Sequence, residues 1–177
     1  MAKLRKFVAY RRTDRLKRAY TRYSKYKKYC YVRARPVCKI ARFDLGELNK
    51  SFPHVLHLVT KSTLQIRDNA LESARTSATR WMEKTLGKTG WNLKVRVYPH
   101  HILRENPLAS GAGADRMSTG MAHNYGKPMG IAAQVHAGNP LLTVSVDSEN
   151  VPAARQALKR AMYKVPCTCS IVAEKAQ

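Results

Sequence analysis

The amino-acid sequence predicts an α+β domain that follows an extended, strongly basic N-terminal tail. Residues 1–42 hold sixteen Lys or Arg and one acid, a net charge of +15 that a folded core cannot bury. Farther along, two stretches with apolar residues at three- and four-residue spacing indicate helices, and stretches of alternating or β-branched residues indicate strands. Both apolar stripes are buried if the two helices pack on one face of a sheet.

Pro36 marks the predicted boundary between the tail at residues 1–36 and a single domain at residues 37–177, because the residue before a proline avoids helical backbone. In the first half of the domain, strands are expected where apolar residues are β-branched or alternate with polar ones. These segments are residues 39–45, 55–60, 91–98 and 100–104, the first of them closed by Gly46.

The first helix is predicted to begin at Asp68 or Asn69, with Glu72 in a capping-box position, and to end at Gly87. The second helix follows Asn150 as its cap, with Pro152 in its first turn. Apolar stripes run along both helices: Leu71, Ala74, Ala78, Trp81, Met82 and Leu86 on the first, and Ala154, Leu158, Ala161 and Met162 on the second. A hairpin of residues 131–136 and 142–146 is expected before the second helix, and a strand at residues 169–173 after it.

Residues 105–130 carry no apolar periodicity and form the predicted functional loop. Gly126-Lys127 resembles the end of a Walker loop, but Pro128 replaces the Ser or Thr that would reach a metal ion. Gly111-Ala-Gly113 likewise lacks the third glycine and the following helix of a dinucleotide fingerprint. Because neither nucleotide motif is complete, we interpret the segment as a flexible basic binding loop, with a disordered surface loop as the alternative.

The basic tail needs a large polyanion as its partner, and nucleic acid is the interpretation we favour. Six of the nine tyrosines lie among these basic residues and offer flat rings for stacking on unpaired bases. A mitochondrial transit peptide fits less well because the tail has a single Ser, and a membrane surface fits less well because its apolar residues are scattered. No apolar run approaches the length of a membrane span, so we expect a cytoplasmic protein.

Neither a metal nor another cofactor is expected. Adjacent His100 and His101 face opposite sides of a strand and do not share one metal ion. The cysteines miss the usual zinc spacing, and free cytosolic thiols are the interpretation we prefer. A zinc site that joins the tail to the last strand stays an alternative, and its four ligands would be Cys30, Cys38, Cys167 and Cys169.

Several segments resemble one known family. The loop sequence Ser110-Gly-Ala-Gly-Ala-Asp-Arg-Met-Ser-Thr-Gly-Met, followed by Tyr125-Gly-Lys-Pro-Met-Gly, closely resembles a stretch of the large-subunit ribosomal protein numbered sixteen in the universal scheme. That family is called ten-e in archaea and sixteen in bacteria. Shorter matches, among them Phe43-Asp-Leu-Gly, Leu103-Arg-Glu-Asn and Val135-His-Ala-Gly, extend the resemblance from about residue 19 to 172 and favour the archaeal form.

The resemblance implies a hammerhead-type fold, in which two helices lie on one face of a mixed sheet. It also implies a structural constituent of the large ribosomal subunit, placed between the central protuberance and the stalk base. The partners implied are 23S-type and 5S-type rRNA, neighbouring ribosomal proteins, and the A- and P-site tRNAs that the loop would face near the peptidyl-transferase region. Such a protein would support tRNA positioning and subunit maturation in cytoplasmic ribosomes, without catalytic residues and without forming a homo-oligomer.

Three groups of contact residues are expected. In the tail, the rRNA-binding residues are Lys3, Arg5, Lys6, Arg11, Arg12, Arg15, Arg18, Tyr20, Arg22, Tyr23, Lys25, Tyr26, Lys27, Lys28, Arg33 and Arg35. In the domain they are Lys39, Arg42, Arg67, Arg75, Lys94, Arg96, His100 and Arg104. The loop residues that face tRNA are Gly111, Gly113, Asp115, Arg116, Met117, Gly120, His123, Tyr125 and Lys127. Residues 1–18 and 25–31 do not match the family pattern, so the family's contacts do not extend to them.

Two other function classes compete with the ribosomal one. An RNA-modifying or RNA-cleaving enzyme would use acids of the loop, but Glu105 and Asp115 meet as a carboxylate pair only if the loop folds back on itself. A general nucleic-acid condenser would bind duplex DNA as well as RNA. The predicted α+β domain and the specific loop sequence argue against a condenser.

Overall fold

The computed structural model describes residues 19–20, 26, 28, 36–113, 116 and 118–175. The strands of this part are β1 (Asp44–Gly46), β2 (His54–Thr60), β3 (Leu64–Arg67), β4 (Trp91–Val95), β5 (His101–Glu105), β6 (Lys127–Val135), β7 (Pro140–Val146) and β8 (Cys169–Lys175). The helices are α1 (Asp68–Leu86) and α2 (Val151–Met162), and short 3₁₀ turns occupy Gly120–His123 and Ser148–Asn150. The predicted α+β class with two helices is confirmed, whereas most of the predicted tail lies outside the described residues.

The strands form two antiparallel sheets, not the single mixed sheet that the resemblance implied. One sheet has the strand order β1-β4-β7-β2-β8 and the other the order β3-β6-β5. Every strand pairing between described residues is antiparallel. Parallel neighbours need long crossover connections, whereas each described strand here runs in the opposite direction to the strands it pairs with.

A corner at Thr60 explains why there are two sheets. Strands β2 and β7 pair in the first sheet, and the segments on the other side of the corner, β3 and β6, pair in the second. The buried Thr60 hydroxyl donates to the His136 carbonyl over 2.9 Å, and the Gly138 amide donates to the Thr60 carbonyl over 2.8 Å. The predicted hairpin of residues 131–146 is therefore wrong, because its two strands lie in different sheets.

The core lies between the first sheet and the two helices. Leu56 and Leu58 on β2 and Val144 on β7 are fully buried, whereas His57 between them is only half-buried. Alternation of this kind covers one face of the sheet. The predicted helical stripes turn inward, and the alanines of α2 bring it close to α1. A smaller core, Ile102 with Ile131, lies in the second sheet.

The start of α1 differs from the predicted capping box. Arg67 occupies the cap position without a side-chain hydrogen bond to the helix. The buried Asp68 carboxylate instead accepts the amide of Lys39 over 3.2 Å, and Glu72 accepts the amide of Ala41 over 3.3 Å. These bonds use the amides that a strand at residues 39–43 would need, and the first strand is accordingly restricted to β1.

Gly46 is required where β1 passes β4. Its φ is +84°, and a Cβ there would lie 2.1 Å from the carbonyl oxygen of Trp91. A side chain at this position would therefore separate the two strands. No helix in the described part of the chain is long and apolar enough to cross a membrane.

Candidate nucleic-acid interface

Tyr20 joins the tail to strand β5 through its backbone. Its amide donates to Nδ1 of His101 over 2.9 Å, and its carbonyl accepts the Ile102 amide over 3.1 Å. Its side chain packs against Ile102 and Ile131. Burial lowers the pKa of His101, which keeps the imidazole neutral and leaves Nδ1 able to accept a hydrogen bond. One predicted RNA-binding tyrosine thus has a fixed place at the edge of the second sheet.

Arg104 on β5 holds the end of the functional loop. Its Nε donates to the carbonyl of Tyr125 over 3.1 Å, and its terminal nitrogen donates to the carbonyl of Gly126. The guanidinium carbon also lies 4.1 Å from the centroid of the Tyr125 ring and 5.8 Å from that of Tyr20. A planar cation with several donors suits this combination of forked hydrogen bonding and ring contact.

The two tyrosines complete the cluster. Their ring centroids are 5.9 Å apart with an interplanar angle of 89°, an edge-to-face contact. A side-chain hydrogen bond with Tyr20 raises the pKa of the Tyr125 phenol, so this hydroxyl stays protonated at neutral pH. Tyr125 is 63% exposed and can therefore present a free ring surface to a base. Tyr20, Arg104 and Tyr125, predicted separately in the tail, the domain and the loop, meet at one place.

The loop closes against β5 at a glycine. Gly126 has a φ of +76°, and a Cβ there would lie 2.6–2.8 Å from backbone atoms of Glu105 and Asn106. The side chain of Asn106 in turn donates to the carbonyl of Gly120 over 3.2 Å. The base of the loop is therefore held by a side-chain hydrogen bond and by a close backbone approach that only glycine permits.

A second aromatic surface lies beside β4, and sequence reasoning missed its central residue. The Tyr98 ring stacks on Phe43 with centroids 5.3 Å apart and lies 4.7 Å from the imidazole of His100. Arg42 and Arg96, both predicted RNA contacts, are exposed on the same segments as these rings. Tyr98 continues the outer face of Lys94 and Arg96 at two-residue spacing in the alternating stretch at residues 91–98, and this position was the signal that could have identified it.

Comparison with known proteins decides the family. Residues 18–172 match the family described as ribosomal protein L16p/L10e. The chain belongs to the ribosomal protein L16p/L10e family. The resemblance predicted from the sequence is thereby confirmed.

Three archaeal relatives agree over most of their length, and each is named large ribosomal subunit protein uL16. The protein of Methanococcus maripaludis strain C7 is 43% identical over 174 residues, which cover 98% of this chain and 96% of that protein. That of Archaeoglobus fulgidus is 44% identical over 161 residues, 91% and 89% of the two chains. That of Methanocella arvoryzae is 46% identical over 145 residues, 82% and 84% of the two chains.

Apart from Arg104, the domain residues predicted to contact RNA fall into two groups that differ in exposure. Exposed side chains are those of Lys39, Arg42, Lys94, Arg96 and His100. Arg67 is 6% exposed, and Arg75 forms a short ion pair with Glu72 that lowers the pKa of that carboxyl. Arg67 is thus buried and Arg75 is half-buried in its ion pair, so their role as RNA contacts stays a prediction.

The loop and tail residues are only partly described. Gly111, Gly113, Arg116, His123 and Lys127 are exposed. Gly120 is half-buried, and the side chain of Asn106 donates to its carbonyl. Asp115 and Met117 lie outside the described residues. So do all the predicted tail contacts except Tyr20, Tyr26 and Lys28. Where Tyr26 and Lys28 are described, both are exposed.

The cysteines of this family member are placed in two regions. Cys167 and Cys169 bring their sulfur atoms to 3.5 Å, and Cys38 is half-buried and packs against both cores. Cys30 lies outside the described residues, so the alternative four-thiolate site stays untested. Within the described ranges, no three His, Cys, Asp or Glu side chains form a group that could hold a metal ion.

Proposed function

We propose that this chain is a structural constituent of the large ribosomal subunit in the cytoplasm and binds large-subunit rRNA through its tail and its exposed basic residues. Family membership supports the ribosomal setting, because the relatives are named as large-subunit proteins. A net charge of +22 supports binding to an RNA backbone. The same membership favours a structural role over the enzymatic and nucleic-acid-condensing alternatives.

The proposal extends to the position within the subunit. The chain lies between the central protuberance and the stalk base, on 23S-type and 5S-type rRNA and beside neighbouring ribosomal proteins. Its glycine-rich loop is directed toward the peptidyl-transferase region, where it supports the positioning of A- and P-site tRNA and the maturation of the subunit. The observation that supports this role is the contact of Arg104 with Tyr20 and Tyr125, which ties tail, sheet and loop into one unit.

The ribosomal assignment is tested by sedimentation. Large subunits purified from the source organism at moderate salt are expected to contain the chain in one copy per particle. Subunits that lack the chain would overturn the assignment. Binding of the purified chain to large-subunit rRNA is expected to fall steeply with salt, and each lost phosphate contact should reduce the log–log slope by about 0.7–0.9.

The role of the loop is tested with subunits that carry Arg116→Ala together with His123→Ala. Both side chains are exposed, so the fold and incorporation should be unaffected. Binding of A- and P-site tRNA to these subunits should weaken, while an Arg155→Ala variant, changed on the exposed face of α2, should bind tRNA as the unchanged subunit does. Equal tRNA affinity in all three preparations would contradict the proposed position of the loop.

A further inference from the structure

The C-terminal ends of the two helices form a basic groove. None of the residues predicted to contact RNA lines it. Helix α1 contributes Arg80, Trp81 and Lys84, and α2 and the residue pair after it contribute Arg160, Tyr163 and Lys164. Within each of these two sets the positions are three and four residues apart, so the side chains of each set lie on one side of the chain and line the same groove. The groove encloses about 480 Å³, within the range of ligand-binding clefts.

The positive charges that line the groove are not neutralised by carboxylates of the described residues. Arg80, Lys84, Arg160 and Lys164 form no ion pair with a carboxylate in the described part of the chain. Cations in the last turn of a helix are stabilised by the helix dipole, which accounts for Lys84 and Arg160. The dipole does not account for Arg80, which lies before the last turn of α1, or for Lys164, which follows the end of α2. Four like charges around one cavity favour an anionic occupant.

Most polar groups that line the groove are donors, and only the hydroxyls of Ser77 and Tyr163 can also accept a hydrogen bond. The Arg160 guanidinium lies 3.7 Å from the centroid of the Trp81 ring, a stacking contact that leaves its in-plane N–H groups available. Lysine and arginine side chains have no acceptor atoms. A ligand that fits must therefore supply several acceptor oxygens.

An exposed ring distinguishes nucleic acid from other anions. Tyr163 is 71% exposed at the mouth of the groove. A flat ring beside cations is the usual arrangement for stacking an unpaired base while its phosphates are neutralised. An acidic protein segment would use the cations but has no need of the ring. We propose that the interhelical groove binds the phosphodiester backbone of an unpaired RNA segment and stacks one of its bases on Tyr163.

The inference rests on the proposed function in one respect, because the RNA it needs is supplied by the large subunit. The probe is nevertheless chosen to work on the purified full-length chain. An oligouridine of about ten nucleotides covers a site of this type. Trp91 is 2% exposed in the core, so a change in tryptophan fluorescence on adding the oligonucleotide reports on Trp81, the other of the two tryptophans.

The decisive comparison uses two charge-matched double variants. Arg80→Gln with Lys164→Gln removes two groove charges, and Arg155→Gln with Lys159→Gln removes two exposed charges of α2 that do not line the groove. The groove variant should lose the fluorescence response and reduce its log–log salt slope by about 1.4, twice the single-strand value for one phosphate. The control variant should keep the fluorescence response, and an equal loss in both variants would overturn the proposal.

Tyr163 provides the test of stacking. Tyr163→Ala should weaken the fluorescence-detected affinity at least about fivefold, and Tyr163→Phe should retain it. If polyglutamate produces the same response as oligouridine and Tyr163→Ala changes neither, the groove binds acidic protein and the RNA proposal is wrong. Sedimentation separates this failure from failure of the proposed function. If the chain is present in large subunits but shows no fluorescence response, only the groove proposal is wrong. If the chain is absent from large subunits, the ribosomal assignment is wrong.

Discussion

Arg104 contacts Tyr125 in two ways, through a 3.1 Å hydrogen bond from its Nε to the backbone carbonyl and through a guanidinium that lies 4.1 Å from the centroid of the ring. A single side chain on a strand therefore fixes both the backbone and the aromatic ring at the end of the functional loop. Because β5 is paired to β6 on one side and bonded to Tyr20 through His101 and Ile102, the position of the loop depends on the sheet.

Arg104→Lys should loosen the loop without changing the charge of the chain. Lysine keeps the cation but cannot donate to the carbonyls of Tyr125 and Gly126 as a fork. Hydrogen bonds from a charged donor contribute about 1.5–3 kcal/mol, so the Gly126 amide should exchange its hydrogen roughly 10- to 100-fold faster. Arg96→Lys, an exposed change of the same type, should leave that exchange rate unaltered. Equal exchange rates in both variants would show that the fork does not hold the loop.

Gly126→Ala tests the close approach at the base of the loop. The new methyl group would lie within 2.6–2.8 Å of backbone atoms of Glu105 and Asn106, in addition to the strain of a φ of +76°. Gly138→Ala is the control, because φ is +88° there and nothing lies within 4 Å of the added Cβ. Backbone strain costs each variant about 1–2 kcal/mol, and the steric overlap should cost Gly126→Ala about 1–3 kcal/mol more. Urea unfolding measures both losses, and a loss no larger than that of Gly138→Ala would refute the close contact.

Local patterns predicted the helices well because each helix carries its own signal. The stripe from Leu71 to Met82 repeats within one segment, and Gly87 ends it with a φ of +79° as expected. Strand partners carry no such signal, since alternation shows that a segment is a strand but not which strand lies beside it. The hairpin error at residues 131–146 has this origin, because the partners of β6 and β7 are distant in sequence and are separated by the corner at Thr60.

In the candidate site, too, single residues could be predicted from the sequence but the contacts between them could not. Arg104, Tyr20 and Tyr125 were each predicted as contacts from charge, aromaticity or resemblance, yet their meeting depends on the backbone bonds that place Tyr20 beside β5. Arg75 looked like an available cation because its partner Glu72 was interpreted as a helix cap. Side-chain rotamers decide such pairings, and the sequence offered two partners for the same carboxylate.

The acid stability of the domain should depend on Glu72. The side-chain hydrogen bond from Arg75 lowers the pKa of Glu72 below its ordinary value, because the ionised form is favoured in the folded state. The resulting stabilisation is complete above the ordinary glutamate pKa of about 4.3 and is lost as the pH falls through the lowered value. Glu72→Gln should therefore reduce the free energy of unfolding by about 1 kcal/mol at pH 7 and flatten its decline in acid.

Glu149→Gln supplies the control for that measurement. Glu149 is exposed and has no ion pair in the described part of the chain, so its replacement should change the free energy of unfolding less than Glu72→Gln does. Denaturant unfolding of the three chains between neutral and acidic pH measures the difference. Parallel curves for both variants would show that the Glu72–Arg75 pair does not contribute.

Acid should also release Tyr20 from the sheet through His101. Burial lowers the pKa of this imidazole, so the neutral form is favoured in the folded state and its stabilisation is complete above the ordinary pKa of about 6.5. As the pH falls through the lowered value, protonation of Nδ1 removes the acceptor for the Tyr20 amide, which lies 2.9 Å away. Hydrogen exchange of that amide, divided by its intrinsic rate, should therefore accelerate as the pH falls below about 6.5. His101→Phe has no acceptor at any pH, so its Tyr20 amide should exchange rapidly throughout. Equal protection of the Tyr20 amide in the parent chain and in His101→Phe at neutral pH would exclude His101 as the anchor of the tail.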